Sequence, residues 1–178
     1  EERVYDLIST LLIKNAHKVL LDADALTVLA KKPLRLPSSW VLTPHTGELS
    51  RLIGLSVDEI EYDRFSALKL ANNKYGAQIL LKGFHSLHFD GNIFSIINSG
   101  NAALAKAGSG DVLAGVIGGL LAQNYSTEEA VKLGAFVHGY AADLWLKESN
   151  SAVSMMSSDL FELIPKSFGE IESEKTEN

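Results

Sequence analysis

The sequence predicts a layered α/β/α fold around a mainly parallel β-sheet. Three short and largely apolar runs, residues 19–21, 40–42 and 78–82, are typical of parallel strands that are covered on both faces. Helical spacings of apolar residues separate these runs, and alternating strands and helices favour a parallel sheet between helical layers. A chain of 178 residues is long enough to bury a core, so we expect a single domain over residues 1–178.

The composition indicates a globular protein and argues against several classes of function. Apolar residues make up 46% of the chain and charged residues 21%, as in ordinary globular domains. The net charge of −6 and the absence of a basic stripe argue against a nucleic-acid partner. The chain has no cysteine, which excludes disulfides and fits a cytoplasmic location. The longest uncharged apolar run, residues 112–122, is too short to span a bilayer, so no membrane partner is expected.

The chain begins with a helical pattern that leads into a buried strand. Apolar residues at helical spacing predict a helix over residues 3–17. The strand within residues 18–24 ends in Asp22 and Asp24. We expect Asp24 to cap the helix over residues 25–31, because Asp is favoured at that position.

A second strand, at residues 40–42, runs directly into a polar helix start. Thr43 or Thr46 is expected to cap the helix that follows, and Glu48 is placed to favour the positive end of its dipole. His45 directly follows the strand. A histidine in such a loop can hydrogen-bond a substrate or a phosphate, or it can lie at the surface without a role.

The middle of the chain predicts a long helix, a third strand and a hairpin. Residues 57–75 carry acidic residues early and lysines late, as one intact helix prefers, and Gly76 ends it. The third strand, residues 78–82, precedes a hairpin over residues 87–97 with an Asp-Gly turn.

Two further helices are predicted near the end of the chain. The first, residues 128–147, is expected to be capped by Ser126 or Thr127, and its His138 is expected to be a packed structural residue. An amphipathic pattern predicts the last helix over residues 158–168.

The stretch over residues 101–123 carries the strongest functional signal. Gly108 and Gly110 allow a tight turn, and a glycine-bearing helix pattern follows at once, with Asp111 in its first turn. Unpaired amides and the positive dipole end of such a helix suit a phosphate, although Ser, Gly and Asp are also common as simple caps. The glycines at 115, 118 and 119 share one helix face, so we expect another backbone or a ligand to approach closely there.

Polar clusters follow all three predicted strands. Because the carboxyl ends of parallel strands meet at one edge of a sheet, these clusters are expected to lie together, and ligands gather at such edges. If the glycine turn lies at the same edge, one site is assembled. The clusters are Asp22 with Asp24, His45 with Glu48, and residues 82–86.

Four segments give the chain a resemblance to a known family. LDADAL, LTPHTGEL, LLKGFHS and NAALAKAGSGDVLAGVIGGLLAQ resemble, in order and spacing, segments of the NAD(P)H-hydrate dehydratases, and the resemblance covers residues 19–146. It implies a ribokinase-like fold and the repair of hydrated NADH or NADPH with ADP or ATP as co-substrate. The hydroxyl group of the hydrate would be phosphorylated, and phosphate would then be eliminated.

The resemblance also implies roles for single residues. Asp111 matches the acid that contacts the hydrate and acts as base on its hydroxyl, and His45 matches a contact of the hydrated dinucleotide. Glu48 resembles a residue of the magnesium or phosphate network in the wider superfamily, which implies Mg²⁺ as a cofactor. The expected nucleotide-binding residues are Lys82, Gly83, Phe84, His85, Ser86, Ser109 and Gly110.

The chain is expected to depart from the family in its amino-terminal strands, and two other functions remain open. Family members have further strands before the LDADAL strand, so we expect this chain to lack the family's amino-terminal strands. One alternative is a small-molecule kinase of the same superfamily, which leaves the phosphate on a vitamin-like alcohol. The other is a nucleotide-binding module without turnover. The expected partners are small molecules and, in a homo-oligomer, other copies of the chain.

Overall fold

The protein is built on a five-stranded sheet with the strand order β1-β2-β3-β4-β5. The computed structural model describes residues 1–148 and 150–176. Strands β1, β2 and β3 pair in parallel, whereas β3–β4 and β4–β5 are antiparallel. The strands are β1 (Leu20–Leu21), β2 (Val41–Leu42), β3 (Gln78–Leu81), β4 (Leu87–Phe89) and β5 (Phe94–Ile96).

Helices cover both faces of this sheet, which confirms the predicted α/β/α layers. The helices are α1 (Glu2–Ile13), α2 (Asp24–Lys31), α3 (Thr46–Ile53), α4 (Val57–Tyr62), α5 (Arg64–Tyr75), α6 (Ser109–Ala122), α7 (Thr127–Lys147) and α8 (Leu160–Thr176). Side chains alternate between the faces of a strand. Leu42 and Ile79 therefore pack with the layer of α1 to α5, and Val41 and Leu80 pack with α6 and α7. No helix among the described residues combines the length and apolarity that a membrane crossing requires.

The predicted helix over residues 57–75 is in fact two helices. Asp63 has non-helical dihedral angles, and its carboxylate accepts a hydrogen bond of 2.9 Å from the amide of Ser66. An aspartate that caps the following turn in this way competes with continuation of the helix before it. Gly76 ends the second helix, as predicted, and the structure shows it in a left-handed conformation.

Three predicted caps have different outcomes. Asp24 makes no capping hydrogen bond; it is the first residue of α2, and Ala23 occupies the cap position. Neither threonine caps α3, because His45 does so. Ser126 caps α7 as predicted: its hydroxyl accepts from the amide of Glu129 at 3.2 Å.

The glycine face of α6 is not packed closely against another backbone. Among the described residues, no neighbouring atom lies within 4 Å of a β-carbon added at Gly115, Gly118 or Gly119. Helices α6 and α7 instead approach each other closely at Gly134 of α7, where an added β-carbon would lie 2.7 Å from Cγ1 of Ile117 in α6. Of the two predicted alternatives, the close approach of another backbone is therefore wrong for this face of α6, because the small residue that permits the close contact of the two helices belongs to α7. The approach of a ligand to this face stays a prediction.

Two histidines lie in the interior, and burial lowers the pKa of each to about 4. His88 on β4 places Nε2 3.0 Å from Oε1 of Gln78, whereas its Nδ1 is buried without a hydrogen-bond partner among the described residues. His138 on α7 is the packed residue that the sequence predicts. Both side chains are therefore neutral near pH 7.

We expect the free energy of unfolding to fall as the pH is lowered from 6.5 to 4. The folded pKa of both histidines lies below the usual value of 6.5, so in this window the unfolded chain binds more protons than the folded chain. Each histidine should account for a loss of about 3 kcal/mol across the window. Urea unfolding at closely spaced pH values measures this loss, and in His88→Gln the dependence should become shallower. An identical dependence in the variant would contradict the assignment to His88.

Candidate active site

The side chains that follow the three parallel strands meet at one edge of the sheet. Nζ of Lys82 lies 2.8 Å from Oδ1 of Asp22 and 3.8 Å from Oε2 of Glu48. These three side chains are 18%, 13% and 10% exposed, respectively. The amide of Lys82 also donates to the carbonyl of Pro44 at 2.8 Å, and this continues the parallel pairing beyond β2 and β3. Lys82, Asp22 and Glu48 form what we call the lysine–carboxylate cluster.

His45 and Glu48 hold each other in place at the start of α3. Nδ1 of His45 accepts a hydrogen bond of 3.0 Å from the amide of Gly47, so the ring proton is assigned to Nε2. Oε2 of Glu48 accepts from the amide of His45 at 2.8 Å and lies 3.6 Å from its Nε2. A β-carbon at Gly47 would lie 2.9 Å from Cε1 of His45, so this ring position requires a glycine there. The imidazole edge remains open to a ligand, because the side chain is 56% exposed.

The glycine turn lies beside the lysine–carboxylate cluster. Gly108 has a φ of 84° and precedes the first residue of α6. A β-carbon at Gly110 would lie 3.5 Å from Nζ of Lys82. The first turn of a helix leaves amides without intrahelical partners, and these amides attract anions. The turn therefore places amides of α6 next to a fixed ammonium group, which is a suitable arrangement for a phosphate.

Ser109 is less available to a ligand than the sequence suggests. Its amide donates to the carbonyl of Lys106 at 3.3 Å, and its buried hydroxyl lies 3.2 Å from Nε2 of His138. Asp111, by contrast, is exposed in the first turn of α6. The backbone amides that remain available to an anion are therefore those that follow Ser109 in the first turn of α6.

A cavity of about 410 Å³ opens beside Asp111 between α6 and α8. Apart from Asp111, its lining is apolar or glycine. An apolar part of a ligand could lie there with a polar group at the Asp111 carboxylate. The cavity is lined by Asp111, Val112, Gly115, Val116, Phe161, Ile164 and Pro165.

Residues 82–86 form a tight turn that presents two aromatic rings. Ser86 Oγ donates to the carbonyl of Gly83 at 3.1 Å. The rings of Phe84 and His85 lie 3.9 Å apart, and Phe84 is 78% exposed. Exposed rings of this kind can stack with a purine base. Lys82 faces the glycine turn, whereas the described contacts of Phe84 and His85 involve each other and Arg64.

The sequence analysis missed two residues that hold segments of this site, Arg64 and Asp143. The guanidinium group of Arg64 donates to the carbonyls of Phe84 and His85, at 3.0 and 3.2 Å, and so holds the turn of residues 82–86. The sequence signal that could have pointed to Arg64 is Asp63 as the cap of a new helix, but residues 57–75 were predicted to form one helix. Asp143 of α7 accepts from the amide of Gly100 and has no local signal, because the two residues are 43 positions apart.

The described residues contain no group of three or more His, Asp or Glu side chains arranged to hold a metal ion. Mg²⁺ is usually held by one or two carboxylates together with substrate phosphates and water. Asp22 and Glu48 offer carboxylate oxygens of this kind at the sheet edge. The donor set therefore fits an ion that arrives with a nucleotide rather than an ion held by the protein alone.

Comparisons with known proteins point to one family. A family model described as NAD(P)H-hydrate dehydratase matches residues 1–166. The bifunctional NAD(P)H-hydrate repair enzyme Nnr of Coxiella burnetii is 40% identical over 156 residues, which cover 87% of this chain and 31% of that protein. The chain thus spans about a third of that relative's length.

Two solved structures share the fold. The ADP/ATP-dependent NAD(P)H-hydrate dehydratase from Bacillus subtilis, co-crystallised with ATP and Mg²⁺, is similar with a TM-score of 0.78 and 33% identity. The match covers 86% of this chain and 55% of that one. A ribokinase-like superfamily protein from Enterococcus faecalis matches with a TM-score of 0.77 and 24% identity, over 93% of this chain and 57% of that one. The predicted ribokinase-like fold is thereby confirmed.

Ala23 provides a test of the backbone geometry at the sheet edge. Its φ of 51° and ψ of −115° lie in a region that L-residues rarely adopt, and such strain typically costs about 1–3 kcal/mol. Glycine adopts this conformation freely but loses more entropy on folding. We therefore expect Ala23→Gly to stabilise the protein by about 1 kcal/mol in urea unfolding. Ala30→Gly, within α2, should instead destabilise it by about 1 kcal/mol. Equal destabilisation by both variants would contradict strain at Ala23.

Proposed function

Because the chain belongs to the NAD(P)H-hydrate dehydratase family, we propose that it carries out the nucleotide-dependent dehydration of hydrated NADH or NADPH. The observation that carries this proposal is the position of the lysine–carboxylate cluster beside the glycine turn, where a β-carbon at Gly110 would lie 3.5 Å from Nζ of Lys82. A phosphate could there meet a fixed ammonium group and helix amides at the same time. Asp111 stands in the same helix turn.

In the proposed reaction, the hydroxyl oxygen of the hydrate attacks the terminal phosphorus of ADP or ATP. Asp111 orients the hydroxyl and accepts its proton as the bond to the nucleotide breaks. The ring then expels phosphate and loses a proton from the neighbouring carbon, which restores the double bond of the reduced nicotinamide. Phosphoryl transfer of this kind depends on positioning and charge stabilisation more than on a strong base.

Four further residues of the site have a proposed role in binding. Lys82 would face the transferred phosphate, and the exposed ring of Phe84 would stack with the adenine. His45 would contact the dinucleotide through Nε2. Glu48 would hold Mg²⁺ together with the phosphates, and the ion would neutralise part of their charge. A cytoplasmic location and a homo-oligomer stay predictions.

The proposal is tested by adding hydrated NADH with ADP or ATP and following phosphate release and the return of reduced-nicotinamide absorbance. The expected result is one phosphate released for each nicotinamide restored. Phosphate transferred to a vitamin-like alcohol without elimination would indicate the kinase alternative. Tight ADP binding without any turnover would indicate the binding module.

Asp111→Asn should lower kcat about 100- to 10,000-fold, the range expected for loss of a general base. The side chain is exposed, so the fold should not change. Asp58→Asn is the matched control, because Asp58 is an exposed acid in the first turn of α4; its kcat should equal that of the wild type. Wild-type turnover by the Asp111 variant would rule out the assigned role.

Lys82→Met should weaken ADP binding about 10- to 100-fold, which corresponds to about 1.4–3 kcal/mol. The substitution removes the ammonium group that faces the glycine turn while it keeps the length of the aliphatic chain. Calorimetric titration with ADP measures the effect. Lys132→Met is the control, since Lys132 pairs with Glu128 at 2.6 Å on α7, and it should leave affinity unchanged. Equal affinities in the two variants would exclude Lys82 from phosphate binding.

A further inference from the structure

Helix α7 holds the beginning of the loop that leads to the glycine turn. The amide of Gly100 donates to Oδ2 of Asp143 at 2.9 Å, and Nδ2 of Asn101 donates to Oδ1 of the same carboxylate at 2.9 Å. One turn earlier on α7, an added β-carbon at Gly139 would lie 2.6 Å from the carbonyl oxygen of Ser99. The loop therefore begins in direct contact with α7, and both oxygens of a single carboxylate hold it.

The same helix holds the end of the loop. Nε2 of His138 lies 3.0 Å from the carbonyl oxygen of Ser109 and 3.2 Å from its hydroxyl oxygen. Burial lowers the pKa of His138 to about 4, so the ring is neutral near pH 7 and carries one proton. The shorter distance to the carbonyl assigns that proton to Nε2, which donates to the first residue of α6.

These contacts lie directly before the residues that the proposed reaction uses. Ser109 precedes Gly110 and Asp111 in the chain, and its side chain is buried whereas that of Asp111 is exposed. The glycines at 108 and 110 leave the turn with much conformational freedom of its own. A displacement of about 1 Å at a catalytic group can lower a rate about 100-fold, so the anchoring of this turn bears directly on activity.

We propose that His138 and Asp143 are positioning residues that fix the two ends of the loop over residues 99–109, and thereby the phosphate-binding turn and Asp111. His138 acts through Ser109, and Asp143 acts through Gly100 and Asn101. This inference rests on the proposed function for its catalytic consequence. Its structural part, the anchoring of the turn by α7, can be measured without turnover.

The test compares two buried neutral histidines. His138→Leu removes the donor to Ser109, whereas His138→Gln keeps a donor near the position of Nε2. His88→Leu is the matched control, because His88 is also fully buried, its pKa is also lowered to about 4, and it lies on β4. These three variants and Asp143→Ala are compared with the wild type by urea unfolding, by hydrogen exchange of peptides that cover residues 99–111, and by steady-state kinetics.

We expect His138→Leu to raise amide exchange in residues 99–111 about tenfold and to lower kcat at least tenfold at saturating nucleotide. His138→Gln should keep both the amide exchange in these residues and kcat close to the wild-type values. His88→Leu should lose stability but keep wild-type kcat and wild-type exchange in these peptides. Asp143→Ala should resemble His138→Leu, with its largest exchange increase at residues 99–104.

Two results would overturn the inference. The first is unchanged exchange and unchanged kcat in His138→Leu, and the second is an equal rise in exchange with an equal fall in kcat in His88→Leu. A wild-type chain without any turnover would contradict the proposed function instead. In that case the exchange data still decide whether α7 anchors the turn, because they do not depend on catalysis.

Discussion

The site depends on the ammonium group of Lys82, which lies between the carboxylates of Asp22 and Glu48. Asp22 follows β1, Lys82 follows β3, and Glu48 lies in α3, the helix after β2. A single cation therefore connects the ends of β1, β2 and β3. Charges that are largely withdrawn from water are tolerated only when they are paired, and removal of one partner leaves the others uncompensated. Glu48 also accepts from the amide of His45, so the cap of α3 and the lysine–carboxylate cluster share one carboxylate. A change at any of these residues therefore affects the sheet edge, the helix start and the site together.

The charge balance of this edge bears on the choice of ligand. Two carboxylates, those of Asp22 and Glu48, pair with the one ammonium group of Lys82, and Asp111 adds a third carboxylate in the neighbouring first turn of α6. The positive end of α6 offsets only part of this negative charge. Nucleotide phosphates would add more negative charge, so binding of a divalent cation together with them would balance the charge. The described residues themselves contain no group of three or more side chains arranged to hold a metal ion.

The features that the sequence predicts are those governed by periodicity and strand polarity. Continuous apolar runs identified β1, β2 and β3, and the parallel arrangement brought Asp22, Glu48 and Lys82 together as expected. Local competition between hydrogen-bond partners was harder to predict, as the break at Asp63 and the cap at His45 show. Contacts between distant segments left no local signal at all: Asp143 and Gly100 meet only because α7 packs beside the loop. The functional roles of the site residues stay predictions.

The glycine-rich α6 is best understood through the supports on its two sides. Each interior glycine costs a helix about 1 kcal/mol relative to alanine, and no described neighbour uses the space at Gly115, Gly118 or Gly119 for close packing. Gly115 instead lines the cavity beside Asp111. The first turn of this intrinsically loose helix lies between Lys82 at the sheet edge and His138 of α7. Support from the sheet layer and from a neighbouring helix can thus fix the orientation of Asp111. The glycine face of α6 meanwhile stays accessible to a ligand.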